Sequence, residues 1–180
     1  GLTVMMFYRS AIRVTRFDLL LLISILLGLL TGFAFAAFYA TFGIPIARLA
    51  DRKSRVTILS VCMALWSAMT AACGLAQNFV HMLLARMGVG VGEAGCVPTS
   101  HSLLSDYVPP EKRALALGIF QTGGAVGVMA GFIAAGWIAD QWGWRMAFFL
   151  IGIPGVLIAV VAKMTLKDPP RGNYSTEPEP

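Results

Sequence analysis

Long apolar runs separated by short polar stretches dominate this chain of 180 residues. A bilayer core of roughly 30 Å is crossed by about 20 apolar residues of helix. Five stretches come near that length and predict membrane spans at about 19–47, 56–76, 79–104, 114–139 and 146–162. The first stretch is long for one untilted crossing and short for two. It is therefore either one tilted helix or one helix with the remnant of another.

Composition indicates the same class of protein. Hydrophobic residues make up 57% of the chain and charged residues 13%, and the mean hydropathy is +0.74. Soluble domains are about 45–50% apolar and about a quarter charged. We therefore predict an all-α, polytopic membrane helix bundle over residues 19–167, with the lipid bilayer as a partner. The net charge of +5 comes from short clusters between apolar runs, a distribution that excludes a nucleic-acid-binding face.

The basic residues predict the orientation of the bundle. Almost all of them fall in loops on one side of the predicted membrane, and the positive-inside rule makes that side cytoplasmic. We expect a multi-pass protein of the inner or plasma membrane. The bases on this side are Arg48, Arg52, Lys53, Arg55, Lys112, Arg113, Lys163, Lys167 and Arg171.

The two ends of the chain differ from the bundle. Residues 1–18 carry Arg9, Arg13 and Arg16 on one helical face, with apolar residues opposite. This pattern predicts either a basic helix on the membrane surface or a leader without defined structure. Five spans place this end outside, so a cytoplasmic N-terminus would require the first stretch to cross twice or re-enter. Residues 168–180 are polar and proline-rich, which predicts a linker or tail.

Two formal charges lie inside the third predicted span. A charge at a helix centre costs on the order of 2.5–3.5 kcal/mol, so such residues usually face the protein interior. Seven residues of helix give a rise of about 10.5 Å and a rotational offset of about 20°. Arg86, Glu93 and Ser100 therefore share one face, where they could hold water, a proton or a substrate group. The alternative is a static ion pair that fixes helix packing.

Glycines recur at helical spacing in two predicted spans. Gly88, Gly92 and Gly95 lie close to one stripe of the third span, where a neighbouring helix can approach closely. The fourth span carries a longer ladder with a glycine at every fourth position. Close packing accounts for most of this pattern, and a bend or sliding surface is the functional alternative. The ladder glycines are Gly123, Gly127 and Gly131.

The segment GVGEAG at 90–95 also fits G-x-G-x-x-G, a dinucleotide-binding pattern. That fold needs a preceding strand and a βαβ unit, whereas here an apolar run of helix length continues to Leu104. A membrane-embedded enzyme using His101, Glu93 and Arg86 is a further alternative, but no nucleophile or metal-ligand spacing accompanies them. We predict that the protein is not an enzyme and uses no cofactor or metal.

Four segments, in order, resemble motifs of the major facilitator superfamily, and within it the spinster-like branch. ARLADRKSR (47–55) is similar to the signature loop G-x-L-A-D-R-x-G-R, with alanine and serine at its two glycine positions. LLARMGVGVGEAG (83–95) resembles the fourth-helix motif. The glycine ladder (123–136) resembles the fifth helix, and GWRMAFFLIGIPG (143–155) resembles the start of the sixth.

The resemblance implies a transporter of twelve helices in two halves, of which this chain is the amino-terminal half without a recognisable first helix. The charged pair that the branch carries in that helix is not found, because Asp18 lies at the wrong end. Glu93 would be the protonatable coupling residue and Arg86 its partner. The cytoplasmic gating network would comprise Asp51, Arg52, Arg55, Asp106 and Arg113.

Together these features predict a secondary transporter that moves an amphipathic or lipid-like small solute by alternating access, either proton-coupled or facilitative. Its predicted partners are the solute, protons, and a missing carboxy-terminal half or a second copy. The alternative is a non-transporting membrane fragment or assembly subunit, since five helices alone do not enclose a cavity.

Overall fold

The computed structural model describes the backbone of residues 2–174 and the side chains of residues 21–174. This part of the chain folds into six α-helices and contains no strand, which confirms the all-α class. The helices are α1 (Leu2–Arg52), α2 (Arg55–Cys73), α3 (Phe79–Ala94), α4 (Cys96–Tyr107), α5 (Pro110–Trp142) and α6 (Trp144–Thr165).

Four of these helices are long and apolar enough to cross a bilayer, and they make the protein a multi-pass membrane protein. They cover Leu21–Arg52, Arg55–Cys73, Pro110–Trp142 and Trp144–Thr165 among the described residues. The stretch predicted as the span 79–104 differs, because it forms two shorter helices that meet at Gly95. Pro98 explains the break, since its ring nitrogen has no hydrogen to donate to the carbonyl of Ala94 one turn earlier.

Helix α1 runs for 51 residues without a reversal. At about 1.5 Å per residue it is on the order of 75 Å long, far more than one bilayer core. No glycine or proline occurs between Leu2 and Leu27 to end the helix. The first apolar stretch is therefore part of one continuous helix and does not re-enter. The side chains of residues 1–20, on which the predicted surface helix depends, lie outside the described residues.

Helix α2 lies at the centre of the packed part of the bundle, between α3 and α6. Glycines set these contacts. A Cβ atom on Gly92 would lie 2.5 Å from the backbone nitrogen of Trp66, and one on Gly152 would lie 2.6 Å from that of Ala71. In lipid, helix association depends on such van der Waals contact rather than on expelling water. The predicted close approach at the glycines of the third span is confirmed.

Helix α5 is largely exposed along its length. Apart from the adjoining part of α5 itself, no atom of the described residues lies within 4 Å of a Cβ built on Gly123, Gly127 or Gly131, and Phe132 nearby is 76% exposed. The predicted packing or hinge role of these three glycines therefore finds no partner helix within the described part of the chain. This role remains a prediction, and it concerns a face of α5 that no other described helix covers.

Candidate functional site

A cavity of about 310 Å³ lies between α1 and α3. Two glycines on α1 provide the space. Gly28 and Gly32 have no side chains and lie four residues apart, so they leave one face of the helix open. A Cβ atom on Gly90 would lie 2.7 Å from the backbone oxygen of Phe35, so this glycine holds α1 and α3 close together. The cavity is lined by Gly28, Thr31, Gly32, Phe35, Arg86, Val89 and Glu93.

Both charged residues predicted from the third span line this cavity, and both are half-buried. They do not form an ion pair within 4 Å, because in the described part of the chain such pairs involve only Arg55. The guanidinium carbon of Arg86 instead lies 5.4 Å from the centre of the Phe148 ring on α6. The static ion pair considered above is therefore not formed, and the Glu93 carboxylate, which lines the cavity, has no ion pair with any cation of residues 21–174.

The other residues predicted near this pair lie elsewhere. Ser100 is half-buried on α4, beyond the break at Gly95, and does not line the cavity. His101 packs against Phe120 on α5, with ring centres 5.5 Å apart, and its Nε2 atom is buried without a hydrogen-bond partner among the described residues. The break in the helix therefore separates Ser100 from the face that carries the two charges.

The α1 side of the cavity is formed by residues that were not predicted to be site residues. The hydroxyl of Thr31 donates to the backbone oxygens of Leu27 and Gly28, at 3.1 and 2.9 Å, so it is satisfied within its own helix. The signal available in the sequence was the pair Gly28 and Gly32, four residues apart, which is a small-residue motif typical of helix contacts in membranes.

A second cluster surrounds Arg55 at the start of α2, on the side predicted to be cytoplasmic. Its side chain is buried and donates to five acceptor atoms on two other segments, α4 and the segment after α6. It forms an ion pair with Asp106 at the end of α4 and a second one with Asp168, at 3.1 Å. Ser102 accepts through its hydroxyl at 3.1 Å and its carbonyl at 3.3 Å, and Pro169 accepts through its carbonyl at 2.8 Å. This uses the donor capacity of a guanidinium almost completely.

Asp168 was not predicted as a site residue, because residues 168–180 were interpreted as a linker or tail. In the structure, residues 168–174 lie against the end of α1, the start of α2 and the end of α4. Burial acts to raise the pKa of Asp168, but hydrogen bonds from Ser54 and Arg55 and the charge of Arg55 outweigh it and lower the pKa. Asp168 is therefore held as a carboxylate beside Arg55.

Arg171 attaches the same segment to the end of α1. Its guanidinium donates to the backbone oxygens of Ala50 at 2.8 Å, Lys53 at 3.0 Å and Asp51. The last carbonyls of a helix have no partner within the helix and carry partial negative charge. A cation at this position satisfies them and fixes the segment after α6 to the loop between α1 and α2.

The remaining predicted network residues are placed around this cluster without joining its ion pairs. Asp51 and Arg52 are exposed at the end of α1, and neither side chain forms an ion pair in the described part of the chain. Arg113 donates to the backbone oxygen of Val108 at 3.3 Å. The carboxylate of Asp106 is paired with Arg55 and not with Arg113.

The G-x-G-x-x-G segment is not a nucleotide-binding turn. Gly90 and Gly92 lie inside α3, and no strand precedes them among residues 2–174. Their backbone N–H groups are in the helix interior, so they are not directed at a phosphate. Their positions instead serve the contacts with α1 and α2 described above.

Comparison with known proteins places these features in a family. The family model described as Major Facilitator Superfamily matches residues 6–180. Two crystal structures of a bacterial homolog to the human lysosomal transporter Spinster, both inward-facing, one occupied and one unoccupied, each have a TM-score of 0.73 to this chain. The occupied one is 43% identical in sequence and the unoccupied one 41%. The matches cover 83% and 85% of this chain, and 38% and 37% of those chains.

Curated relatives show the same pattern. An MFS-type efflux pump of Mycolicibacterium smegmatis is 33% identical over 133 residues, which is 74% of this chain and 31% of the relative. The probable sphingolipid transporter spinster homolog 1 of Arabidopsis thaliana is 29% identical over 123 residues, which is 68% of this chain and 25% of the relative. The chain thus spans about a third or less of the length of these relatives.

Proposed function

Since this chain belongs to the Major Facilitator Superfamily, we propose that the full-length protein is a secondary transporter that works by alternating access. Its cargo is an amphipathic or lipid-like small solute, and protons drive or accompany the movement. The spinster-like branch identified from sequence is confirmed by the solved structures and by the Arabidopsis relative. We place the protein in the plasma membrane, or in the inner membrane of a bacterium.

The observation that carries this proposal is the cavity with Arg86 and Glu93 on its wall and no ion pair between them. Two charges at membrane depth are costly unless water, a proton or a ligand group compensates them. A proton neutralises Glu93, while a solute with an anionic group pairs with Arg86. Either event changes the cost of exposing this cavity to one side of the membrane, which is what a coupled transporter requires.

The identity of the cargo rests on the lining of the cavity and on the relatives. Phe35 and Val89 offer apolar contact beside the two charged groups, a combination suited to a molecule with a polar end and an apolar body. The bacterial homolog to Spinster is 43% identical to this chain, and the probable sphingolipid transporter spinster homolog 1 of Arabidopsis thaliana is 29% identical over 123 residues. The relation to the spinster-like proteins therefore favours a lipid-like solute.

The cluster around Arg55 supports a gating role at the cytoplasmic side. It joins α2, α4 and the segment after α6 through Asp106 and Asp168. The exposed charges Asp51 and Arg52 lie at the same end, where they are free to pair with the missing carboxy-terminal half or a second copy. The open faces of α1 and α5 fit the same partner.

The decisive experiment replaces Glu93 with Gln in the full-length protein. Purified protein is reconstituted in liposomes that contain the pH dye pyranine, with NBD-labelled lysophosphatidic acid, a lipid-like solute with an anionic group, as the transported probe. We expect the pH gradient to accelerate transport by the wild type and to have no effect on the Glu93→Gln variant. The reason is that the amide keeps the shape of the side chain but cannot bind the proton.

The matched control is Glu111→Gln, which removes the same charge from the exposed first turn of α5. It should respond to the pH gradient like the wild type. If Glu93→Gln keeps its full response, Glu93 has no coupling role. If neither the wild type nor the variants move the probe or protons, the transporter proposal fails for this solute class.

A further inference from the structure

We propose that a groove between α2 and α6 is a binding site for one anionic phospholipid of the cytoplasmic leaflet. The groove lies apart from the α1–α3 cavity and has a volume of about 250 Å³. It is open on one side, toward the region that the bilayer occupies. The lining residues are Thr57, Ser60, Val61 and Ala64 on α2, and Ala159, Val160, Lys163 and Met164 on α6.

The spacing of these residues makes the groove continuous along both helices. Positions 57, 60, 61 and 64 are one face of α2, and positions 159, 160, 163 and 164 are one face of α6. From Thr57 to Ala64 the groove extends about 10.5 Å along the helix axis. Val61, Val160 and Met164 are 61%, 52% and 80% exposed, so no other part of the described chain covers this face. In a membrane, lipid chains fill it.

The polar groups are confined to the cytoplasmic end. Helix α2 starts and helix α6 ends on that side, which places Thr57 beside Lys163, and the Lys163 ammonium donates to the Thr57 hydroxyl. An ammonium group has three donors, so two remain for another acceptor. Of the residues that line the groove, Lys163 alone is charged. An anion is therefore the complementary ligand, and the apolar floor below it matches an acyl chain.

The site distinguishes lipids by the charge of their headgroups. The cytoplasmic leaflet carries the anionic lipids, and the lysine lies at its surface. The four-carbon stem of Lys163 lies along apolar surface while its ammonium reaches the interface. A zwitterionic lipid presents its own cation beside the phosphate and is the weaker ligand. Free phosphate lacks the acyl chain and gains nothing from the apolar part of the groove.

The test uses full-length protein that has been delipidated in dodecyl maltoside. Binding of dioleoyl-phosphatidylglycerol and dioleoyl-phosphatidylcholine is measured by native mass spectrometry and by the rise in melting temperature. We expect phosphatidylglycerol to bind more tightly, and Lys163→Gln to weaken its binding about tenfold, since hydrogen bonds between charged groups are among the strongest. Lys163→Arg keeps the charge and should retain binding.

Two further variants separate the parts of the site. Lys167→Gln removes the same charge at the same side of the membrane but outside the groove, and should bind like the wild type. Ala64→Leu fills the apolar part without changing charge, and should weaken phosphatidylglycerol binding as well. The proposal is overturned if Lys163→Gln and Lys167→Gln behave alike, if phosphatidylcholine binds equally well, or if inorganic phosphate stabilises the protein as much as phosphatidylglycerol.

Discussion

The two charged clusters of this protein differ in how completely their charges are satisfied. Arg55 is buried and has five acceptors, including the carboxylates of Asp106 and Asp168. Arg86 and Glu93 line a cavity and make no ion pair with each other. A saturated cluster holds helices in one arrangement, whereas an unsaturated one is ready to accept a proton or a ligand. The roles proposed above, gating for the Arg55 cluster and binding for the cavity, rest on this difference.

The largest effect should follow from removing the cation of the saturated cluster. In Arg55→Met the carboxylate of Asp106 stays buried without its partner, and breaking a buried pair in this way costs about 3–5 kcal/mol. We expect a strong fall in melting temperature, measured by the fluorescence of the tryptophans in detergent. Arg48→Met, which removes an exposed cation at the end of α1, should stay close to the wild type.

The same change, arginine to methionine, is next made in the cavity, where the arginine has no ion pair among the described residues. Arg86→Met removes a half-buried cation that has no ion pair among the described side chains, so it should leave stability within about 1 kcal/mol while abolishing transport. The aromatic contact with Phe148 is the main interaction lost. If Arg86→Met unfolds the protein as readily as Arg55→Met, the cavity charges are structural and the contrast between the clusters fails.

An effect of intermediate size is expected when alanine replaces a glycine that contacts a neighbouring helix, compared with a glycine that contacts none. Gly92→Ala introduces a methyl group 2.5 Å from the backbone nitrogen of Trp66, which cannot move without shifting α2. Overpacking of this kind costs roughly 1–3 kcal/mol. Gly127→Ala on α5 meets no atom within 4 Å and should be neutral or slightly stabilising, because alanine favours helix over glycine. Both are measured as melting temperatures of the purified protein.

In the full-length protein the Gly127 control also tests the open face of α5. A destabilised Gly127→Ala variant would mean that another helix packs there. Equal melting temperatures for both alanine variants would contradict the contact between α2 and α3.

Features carried by local chemistry could be predicted from the sequence. Apolar length and charge distribution predicted a helical membrane bundle, because each crossing needs its own run of apolar residues. Arg86 and Glu93 were identified because charges inside an apolar run stand out against their neighbours. The break at Gly95 was not identified, because Cys96 and Val97 continue the apolar pattern and only the missing donor of Pro98 interrupts the hydrogen bonds.

Features that depend on contacts between distant segments were not predicted. The α1 wall of the cavity consists of Gly28, Gly32 and Thr31, whose importance is the space they leave rather than any chemistry they carry. Asp168 lies 113 positions from Arg55 in the chain, and its polar, proline-rich surroundings are typical of a linker. Its role follows only from how α6 directs the segment after it back to α2.

The smallest expected effect separates Asp168 from the rest of the Arg55 cluster. Because the pKa of Asp168 is lowered in the folded protein, its contribution to stability is present above its unfolded-state pKa of about 3.9 and is lost as the pH falls through the folded-state pKa. Its side chain is 29% exposed, so the contribution is at most about 1 kcal/mol. Asp168→Asn should therefore lower the melting temperature slightly at pH 7 and not at all near pH 2. Asp140→Asn, the same substitution at an exposed position away from any helix N-terminus, serves as the control and should not lower the melting temperature. A deficit for Asp168→Asn that persists unchanged at pH 2 would mean that the segment is held by Arg171 and the backbone of Pro169, and that the carboxylate adds nothing.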